Sequence, residues 1–381
     1  MDNKIKKGLL AFLLIVFLLP FIQYNLPFIT SGALKGFNDY APDIDFSLEK
    51  WFNGSYQSAK SKYYNDHIGF RADMVRINNQ IRFSLFRKIT GKFILGRENC
   101  MFVDSYINEY TGADFAGEKA IRERMLKLKV VSDTLLRSGK SLILVYAPNK
   151  AYYYPEYIPA MYIHQRKGKT NLQVFKQTGD SLGINQIDFN EWFLTLKNTS
   201  KELLFSKSGI HWTSYAAFLA GDSLLRCIEN LRNIRMPHPV LNSIIHTTQP
   251  RNADVDIGDM QNLVFPATTE TFSYPDYTYV AYPTTSKPRI VFIGDSFVFN
   301  LMENNILQNT TTGWQFWFYF AYLFNAKNSV YNADNTLKDH CDWKKEISKS
   351  DCIVLLYTSI NLTHLGDGFI EQAYDYYFPE K

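Results

Sequence analysis

The chain has 381 residues, 46% of them hydrophobic, and a formal net charge of +4. This length and apolar content suffice for one large domain or two ordinary ones. The near balance of charge, without a basic run, argues against a nucleic-acid-binding protein. The four cysteines form no Cys-x-x-Cys pair, which argues against a zinc or redox motif of that kind.

The N-terminus has the pattern of a membrane segment. Three lysines within the first seven residues precede residues 8–34, which contain no charged residue. About 20 apolar residues in a helix span a bilayer core, and flanking lysines favour a cytoplasmic N-terminus with export of the C-terminal remainder of the chain. A signal peptide cleaved near Ala33 is the alternative. We predict that residues 1–34 are a cytoplasmic tip and signal-anchor. The protein would be single-pass in the inner (cytoplasmic) membrane, with its C-terminal domain in the periplasm or outside the cell.

The remainder divides into an entry segment and an α/β domain. Residues 35–110 are predicted to be a stalk with an amphipathic entry helix over 68–88. Apolar periodicity then predicts helices at 118–138, 214–231 and 369–377, and strands at 141–147, 184–189, 290–293, 329–332 and 352–357. Residues 236–287 lack periodicity and are predicted to be an insertion of loops or short strands lining a substrate groove. Alternating strands and helices favour a mostly parallel sheet with helices on both faces over residues 111–381.

A candidate nucleophile follows the most central predicted strand. The apolar run at 290–293 ends at Gly294 and is followed at once by Asp295 and Ser296. In open α/β folds ligands bind at the carboxyl ends of the strands. We therefore consider Ser296 a candidate catalytic residue, the alternative being an ordinary Asp-Ser turn.

A candidate base lies at a predicted loop–helix junction. His211 is flanked by Gly209 and Trp212 just before the helix at 214–231, for which Thr213 or Ser214 is the predicted cap. A serine hydroxyl needs a base within hydrogen-bond reach to become a good nucleophile. Histidine is the usual base, because its pKa lies near neutrality. The alternative role for His211 is packing or capping.

These motifs together resemble a known family. The matching stretches are 64–71 (YNDHIGFR), 93–102 (FILGRENCMF), 147–156 (APNKAYYYPE), 211–213 (HWT) and 294–297 (GDSF). They resemble the SGNH-hydrolase-like domain of the alginate O-acetyltransferase (AlgJ/AlgX-like) family, from about residue 64 to 378. In that family the His motif precedes the Gly-Asp-Ser motif, a circular permutation of ordinary SGNH hydrolases. The resemblance implies a three-layer α/β/α SGNH-like fold with a mostly parallel central sheet.

One position departs from the family. The family has Asp-x-His-Trp, in which the aspartate is the triad acid, whereas this chain has Gly209 there. Another carboxylate can replace it, and Asp188, Asp256 and Asp334 are unranked candidates. Alternatively, Ser296 and His211 act as a dyad, or the site is degenerate and only binds glycan.

Candidates for stabilising the oxyanion are less specific. The backbone N–H of Ser296 contributes by position, and Asp295 is a candidate supporting residue. Asn361, after the strand at 352–357, stands where SGNH enzymes place their asparagine donor, and Asn332 is the second choice. A turn asparagine is the alternative role for both.

The resemblance implies an exported, membrane-anchored O-acetyltransferase. It would move acetyl groups to hydroxyls of a cell-surface or secreted polysaccharide through an acetyl-serine. Its expected partners are the polysaccharide acceptor, a membrane-bound O-acyltransferase that supplies acetyl groups, and the bilayer. No cofactor or metal is implied. The alternatives are an SGNH-type carbohydrate esterase and a non-catalytic glycan-binding subunit of an export complex.

Overall fold

The computed structural model describes residues 3–36, 40–163, 168–280, 282–330, 332 and 334–379. Contacts group the chain into two units. The N-terminal unit comprises Met1–Gly91 with Ile257–Ala267, and the sheet unit comprises Lys92–Asp256 with Thr268–Lys381. The predicted division at residues 34 and 110 stays a prediction.

The described residues form helices and strands that we number in chain order. The helices are α1 (Asn3–Asn25), α2 (Leu48–Phe52), α3 (Ser55–His67), α4 (Arg71–Phe86), α5 (Asp104–Thr111), α6 (Glu118–Arg137), α7 (Lys150–Tyr153), α8 (Ala160–Ile163), α9 (Asn171–Leu182), α10 (Phe189–Leu196), α11 (Ser214–Arg232), α12 (Asp256–Met260), α13 (Phe297–Glu303), α14 (Ile306–Thr310), α15 (Leu337–His340), α16 (Trp343–Lys349) and α17 (Phe369–Tyr377). The strands are β1 (Phe93–Leu95), β2 (Met101–Val103), β3 (Ser141–Ala147), β4 (Gln186–Asp188), β5 (His238–Thr247), β6 (Phe272–Val280), β7 (Arg289–Gly294), β8 (Gly313–Phe318), β9 (Tyr322–Asn325) and β10 (Cys352–Thr358).

In the N-terminal unit, helix α1 is the candidate membrane span. It has 23 residues, and an 18-residue window within it has a mean hydropathy of 2.3. Among the described residues it is the one helix long and apolar enough to cross a bilayer. The predicted entry helix is present as α4. The Asn79 side chain on α4 donates a 2.8 Å hydrogen bond to the carbonyl of Gln261, which belongs to the same unit.

The sheet unit is built on a six-stranded sheet in the order β4-β3-β10-β7-β8-β9. The β4-β3, β3-β10, β10-β7 and β7-β8 pairs are parallel, and β8-β9 is antiparallel. β3 and β10 are buried at every position, as expected for central strands covered on both faces.

Alternating residues of the central strands supply two separate cores. Ile143, Phe292 and Val354 face one core, together with apolar residues of α10, α11 and α13. Leu144, Ile293 and Leu355 face the other, with residues of α6, α9 and α17. Helices therefore cover both faces, and the predicted three-layer α/β/α fold with a mostly parallel sheet is confirmed.

The carboxyl end of β7 is fixed by a close approach to β10. A side chain at Gly294 would place its Cβ 2.0 Å from the Leu356 carbonyl oxygen, so only glycine fits. The Asp295 N–H then donates to the same carbonyl at 3.2 Å. Because β7 stops here, Ser296 lies at the carboxyl edge of the sheet and α13 starts directly after it.

Two sequence predictions differ from the structure. Of the strand predicted at 329–332, residues 329, 330 and 332 are not in a strand, and Tyr331 lies outside the described residues. The edge is instead formed by β8 and β9, whose aromatic residues lack an alternating apolar pattern. The insertion at 236–287 contains a long antiparallel strand pair, β5-β6, rather than only loops or short strands.

Candidate active site

Ser296, His211 and Asp256 form a hydrogen-bonded chain. His211 Nε2 lies 2.7 Å from Ser296 Oγ, and His211 Nδ1 lies 2.8 Å from Asp256 Oδ2. Because a carboxylate only accepts hydrogen bonds, Nδ1 carries the proton and Nε2 is left to accept the one from the serine. Only 12% of the His211 side chain and 19% of the Asp256 side chain are exposed. This is the geometry of a serine–histidine–carboxylate triad.

The acid reaches the imidazole from the insertion. Asp256 Oδ1 accepts a 2.7 Å hydrogen bond from the Ile210 N–H, which fixes the carboxylate beside the histidine. At Gly209, where the family pattern has aspartate, a Cβ would lie 2.3 Å from the Asp254 carbonyl oxygen. The backbone that carries Asp256 therefore occupies the space that a side chain at residue 209 would need.

The other two carboxylates named from the sequence lie elsewhere. Asp188 caps α10 by accepting from the N–H groups of Asn190 and Glu191, and it pairs with Lys176 at 3.0 Å. Asp334 lies in an exposed turn. Of the three candidates, the structure brings only Asp256 to His211.

Buried contacts orient the His211 loop. Lys150, which is 2% exposed, donates from Nζ to the carbonyls of Lys207 and Gly209 at 2.7 and 2.8 Å. Burial lowers the pKa of this lysine. The His211 ring packs on Phe297, with 4.8 Å between ring centroids. Thr213 caps α11 through its hydroxyl, which accepts from the Ala216 N–H. Sequence reasoning did not predict this role of Lys150.

Asp295 connects the ends of β7 and β10. It is 1% exposed, and its Oδ2 accepts from the Thr358 N–H at 2.7 Å, the Thr358 hydroxyl at 2.7 Å and Asn361 Nδ2 at 2.9 Å. Asn361 Nδ2 also lies 3.3 Å from Thr358 Oγ1. Asn332 lies in an exposed turn, where its side chain accepts from the Asp334 N–H.

Tyr319 lies close to Asp295, and the sequence did not predict a role for it. It directly follows β8, and its N–H donates to the Gly294 carbonyl at 2.9 Å. Burial raises the pKa of its phenol to about 12. Tyr319 and Phe320 both have a φ of 50°, a left-handed conformation that is rare for bulky residues and tends to occur at functional sites. No glycine marks this turn, so no sequence signal pointed to it.

A buried carboxyl group lies behind the site. Glu109 on α5 is fully buried and accepts hydrogen bonds from Ser359 Oγ at 3.0 Å, Asn149 Nδ2 at 3.2 Å and the Leu172 N–H at 3.2 Å. Burial raises its pKa to about 7. Because Asn149 and Ser359 follow β3 and β10, this group connects the ends of the two central strands.

No cluster of three or more His, Cys, Asp or Glu side chains suited to a metal ion occurs among the described residues. The triad offers a chemistry of its own. A serine, a histidine and a carboxylate joined in this way can form and break an ester at the serine hydroxyl.

Several known proteins are similar to this chain. Two probable alginate O-acetylases, both called AlgJ, are 22% identical to the chain. The match to the Pseudomonas putida protein covers 55% of this chain and 53% of that protein. The match to the Pseudomonas syringae pv. tomato protein covers 50% and 46%. The chain thus matches about half the length of these curated relatives.

Among solved structures, the O-acetyltransferase domain of Pseudomonas putida AlgJ matches with 17% identity and a TM-score of 0.48, over 75% of this chain and all of that one. Pseudomonas aeruginosa AlgX matches with 13% identity and a TM-score of 0.40, over 70% of this chain and 55% of that one. The model of the family described as the SGNH hydrolase-like domain of the acetyltransferase AlgX matches residues 94–317, a range that contains all three triad residues. The chain therefore belongs to the AlgX-type family of SGNH hydrolase-like acetyltransferase domains.

Proposed function

We propose that this protein is an O-acetyltransferase that moves acetyl groups to hydroxyls of a polysaccharide through an acetyl-Ser296 intermediate. The observation that carries the proposal is the hydrogen-bonded chain from Ser296 through His211 to Asp256, with distances of 2.7 and 2.8 Å. Membership of an acetyltransferase family supports acetyl as the transferred group.

In the first half-reaction the serine is acetylated. His211 Nε2 takes the proton from Ser296 Oγ as the oxygen attacks the acetyl carbonyl carbon of the donor. The tetrahedral intermediate collapses, the bond to the donor's leaving atom breaks, and His211 returns the proton to that atom. Asp256 holds the imidazole tautomer and stabilises the imidazolium. The Ser296 N–H, which as the N-cap of α13 has no intrahelical acceptor, would donate to the oxyanion.

In the second half-reaction the acetyl group passes to the acceptor. His211 takes the proton of a sugar hydroxyl, whose oxygen attacks the acetyl-serine carbonyl. The Ser296 ester bond breaks, and the serine oxygen takes the proton back from His211. The net change is exchange of one ester for another, and no oxidant or metal takes part.

The N-terminal helix supports a location for this reaction. Helix α1 is long and apolar enough to anchor the chain in the inner (cytoplasmic) membrane, and the lysines before it favour a cytoplasmic N-terminus. The sheet unit would then act in the periplasm or outside the cell. A membrane-bound O-acyltransferase is the partner that would bring acetyl groups across the bilayer, and the polysaccharide is the acceptor.

Hydrolysis is the second candidate. His211 and Asp256 are partly exposed, so water can reach the site, and water in place of the sugar hydroxyl makes the same triad a carbohydrate esterase. The two functions differ in the fate of the acetyl group. Transfer gives an acetylated sugar, and hydrolysis gives free acetate.

The experiment uses the full chain in detergent with an activated acetyl ester, with and without a sugar acceptor. We expect Ser296→Ala and His211→Ala each to lower acetyl transfer at least about a thousandfold, and the double variant to be little worse, because the two residues act as one unit. Ser348→Ala and His340→Ala, at exposed positions, are the matched controls. Free acetate as the main product would favour the esterase. No transfer and no acetate release by the unmutated chain would favour a glycan-binding subunit, and unchanged transfer in Ser296→Ala would refute the assignment of the nucleophile.

A further inference from the structure

The sheet unit contains a cavity of about 510 Å³ that the triad residues themselves do not line. Its walls come from β6, from the loop before Asp256 and from the end of α13 with the turn after it. The volume is within the range of about 300–1,000 Å³ in which proteins bind small ligands. The strand β6 belongs to the insertion that the sequence predicts to line a substrate groove.

Short stretches of chain connect the cavity to each triad residue. Three lining residues carry this connection: Ser214 lies on α11 just after His211, Asn252 lies shortly before Asp256, and Glu303 ends the helix that begins after Ser296. A ligand in the cavity would therefore contact the three chain segments that carry the triad residues.

Aromatic rings on β6 are held rigidly at the cavity. The Tyr277 hydroxyl donates to the Asn304 carbonyl, and its ring packs on Phe218 with centroids 4.9 Å apart. Tyr274 accepts a 2.7 Å hydrogen bond from the Arg251 N–H and donates to Asp254. Fixed tyrosines offer apolar ring faces and polar edges at low entropic cost, a surface suited to a sugar ring with its C–H faces and hydroxyls.

The charged side chains that line the cavity favour uncharged sugars over acidic ones. Two carboxylates, Asp276 and Glu303, line it, and Arg251 is the one cationic side chain among its described lining residues. The Arg251 guanidinium stacks on the Tyr274 ring at 4.2 Å. Carboxylates accept hydrogen bonds from sugar hydroxyls, but they repel the carboxylate that every residue of a polyuronate carries.

We propose that this cavity binds the acceptor as an uncharged glycan chain rather than as a polyuronate. The proposal rests on the proposed function for the identity of the acceptor site, and it names the class of sugar. It differs from what the names of the AlgJ relatives say of those proteins, whose polysaccharide is alginate.

Direct binding tests the proposal without relying on catalysis. The full chain carrying Ser296→Ala in detergent is titrated by calorimetry with a glucose oligosaccharide and with a mannuronate oligosaccharide of equal length. We expect the neutral oligomer to bind about tenfold more tightly. Adding Glu303→Lys should shift that ratio about tenfold towards the uronate. Asp375→Lys makes the same charge change on α17, which packs on the other face of the sheet, and should leave the ratio unchanged.

Three results would overturn the proposal: tighter binding of the mannuronate oligomer, binding of neither oligomer, or a ratio that Glu303→Lys does not change. Acetylation of Ser296 in the parent chain by an activated ester is measured separately. Its presence together with any of those results would reject the uncharged-glycan site alone. Failure of Ser296 to become acetylated would instead reject the proposed function.

Discussion

Replacing Asp256 by Asn removes one charge with almost no change in shape. In the parent, Asp256 Oδ1 accepts from the Ile210 N–H at 2.7 Å and Oδ2 accepts from His211 Nδ1 at 2.8 Å. An asparagine has one acceptor and one donor group for these two positions. If its oxygen faces Ile210, its NH2 group faces Nδ1 and favours the tautomer with the proton on Nε2, which cannot take the serine proton. If its oxygen faces His211, two N–H groups oppose each other at Ile210, at a cost of about 1–3 kcal/mol.

The loss of acetyl-transfer activity depends on which way the asparagine amide is oriented. An aspartate-to-asparagine change in a serine-protease triad lowers kcat about 10⁴-fold through the wrong tautomer. Here 12% of His211 and 19% of Asp256 are exposed, so solvent compensates part of the lost charge. We expect Asp256→Asn to lower kcat/KM for acetyl transfer about 10²- to 10³-fold, which corresponds to roughly 3–4 kcal/mol of transition-state stabilisation.

The assay measures steady-state acetyl transfer from an activated ester, with circular dichroism to check folding. Asp188→Asn and Asp334→Asn are matched controls, because both carboxylates fit the sequence argument equally well and neither reaches His211 in the structure. Both should retain activity within about threefold, since asparagine also serves as a helix cap at residue 188. Activity of Asp256→Asn within about threefold of the parent, or an equal loss in Asp188→Asn, would refute the assignment of the acid.

Three further predictions concern the fold and its surroundings. Gly209→Asp should lower the free energy of unfolding by about 1–3 kcal/mol and reduce acetyl transfer, because its Cβ would meet the Asp254 carbonyl oxygen. The sequence alone, which treats Gly209 as a missing acid, predicts retained or raised activity, and denaturant melts with an activity assay distinguish the two. Glu109, with a folded pKa of about 7 against an ordinary value of 4.5, binds more protons in the folded state. The contribution of Glu109 to the free energy of unfolding is therefore full below pH 4.5, and it is lost as the pH rises to about 7. In the unmutated chain, this group should lower the free energy of unfolding by about 3 kcal/mol between pH 4.5 and 7. Urea melts across this pH range measure that dependence, and Glu109→Gln should remove it. An unchanged pH dependence in Glu109→Gln would contradict the role of Glu109. A reporter fused after Lys381 should be active only outside the cytoplasm, and the chain should resist carbonate extraction; recovery in the cytosolic fraction would rule out the anchor.

Much of the sheet unit could be predicted because its pattern is local. β3 and β10 are continuous apolar runs bounded by polar residues, and both strands are buried at every position. Such a run is typical of a central strand that is covered on both faces of the sheet. Helices α6 and α17 show their buried faces at helical spacing. The edge strands β8 and β9 were missed, because an aromatic-rich stretch has no period that distinguishes strand from helix.

The site was predictable only in part. Ser296 and His211 could be predicted as site residues because each lies at a local signal: the end of a strand for Ser296 and a loop–helix junction for His211. Asp256 was named among three carboxylates but could not be ranked, because a contact across 45 residues of sequence leaves no local pattern. The reason that Gly209 carries no acid is a backbone approach from the insertion, which is visible only in three dimensions.

Mass spectrometry of the full chain, after a short exposure to an activated acetyl ester, is the most direct way to detect an acetyl group on Ser296. We predict one added acetyl group, mapped to the peptide that contains Ser296, absent in Ser296→Ala and strongly reduced in His211→Ala. On addition of a glycan acceptor the label should move to the sugar faster than it is lost to water. Acetyl transfer by the parent chain without any label on Ser296, or equal labelling of Ser296→Ala, would contradict the account.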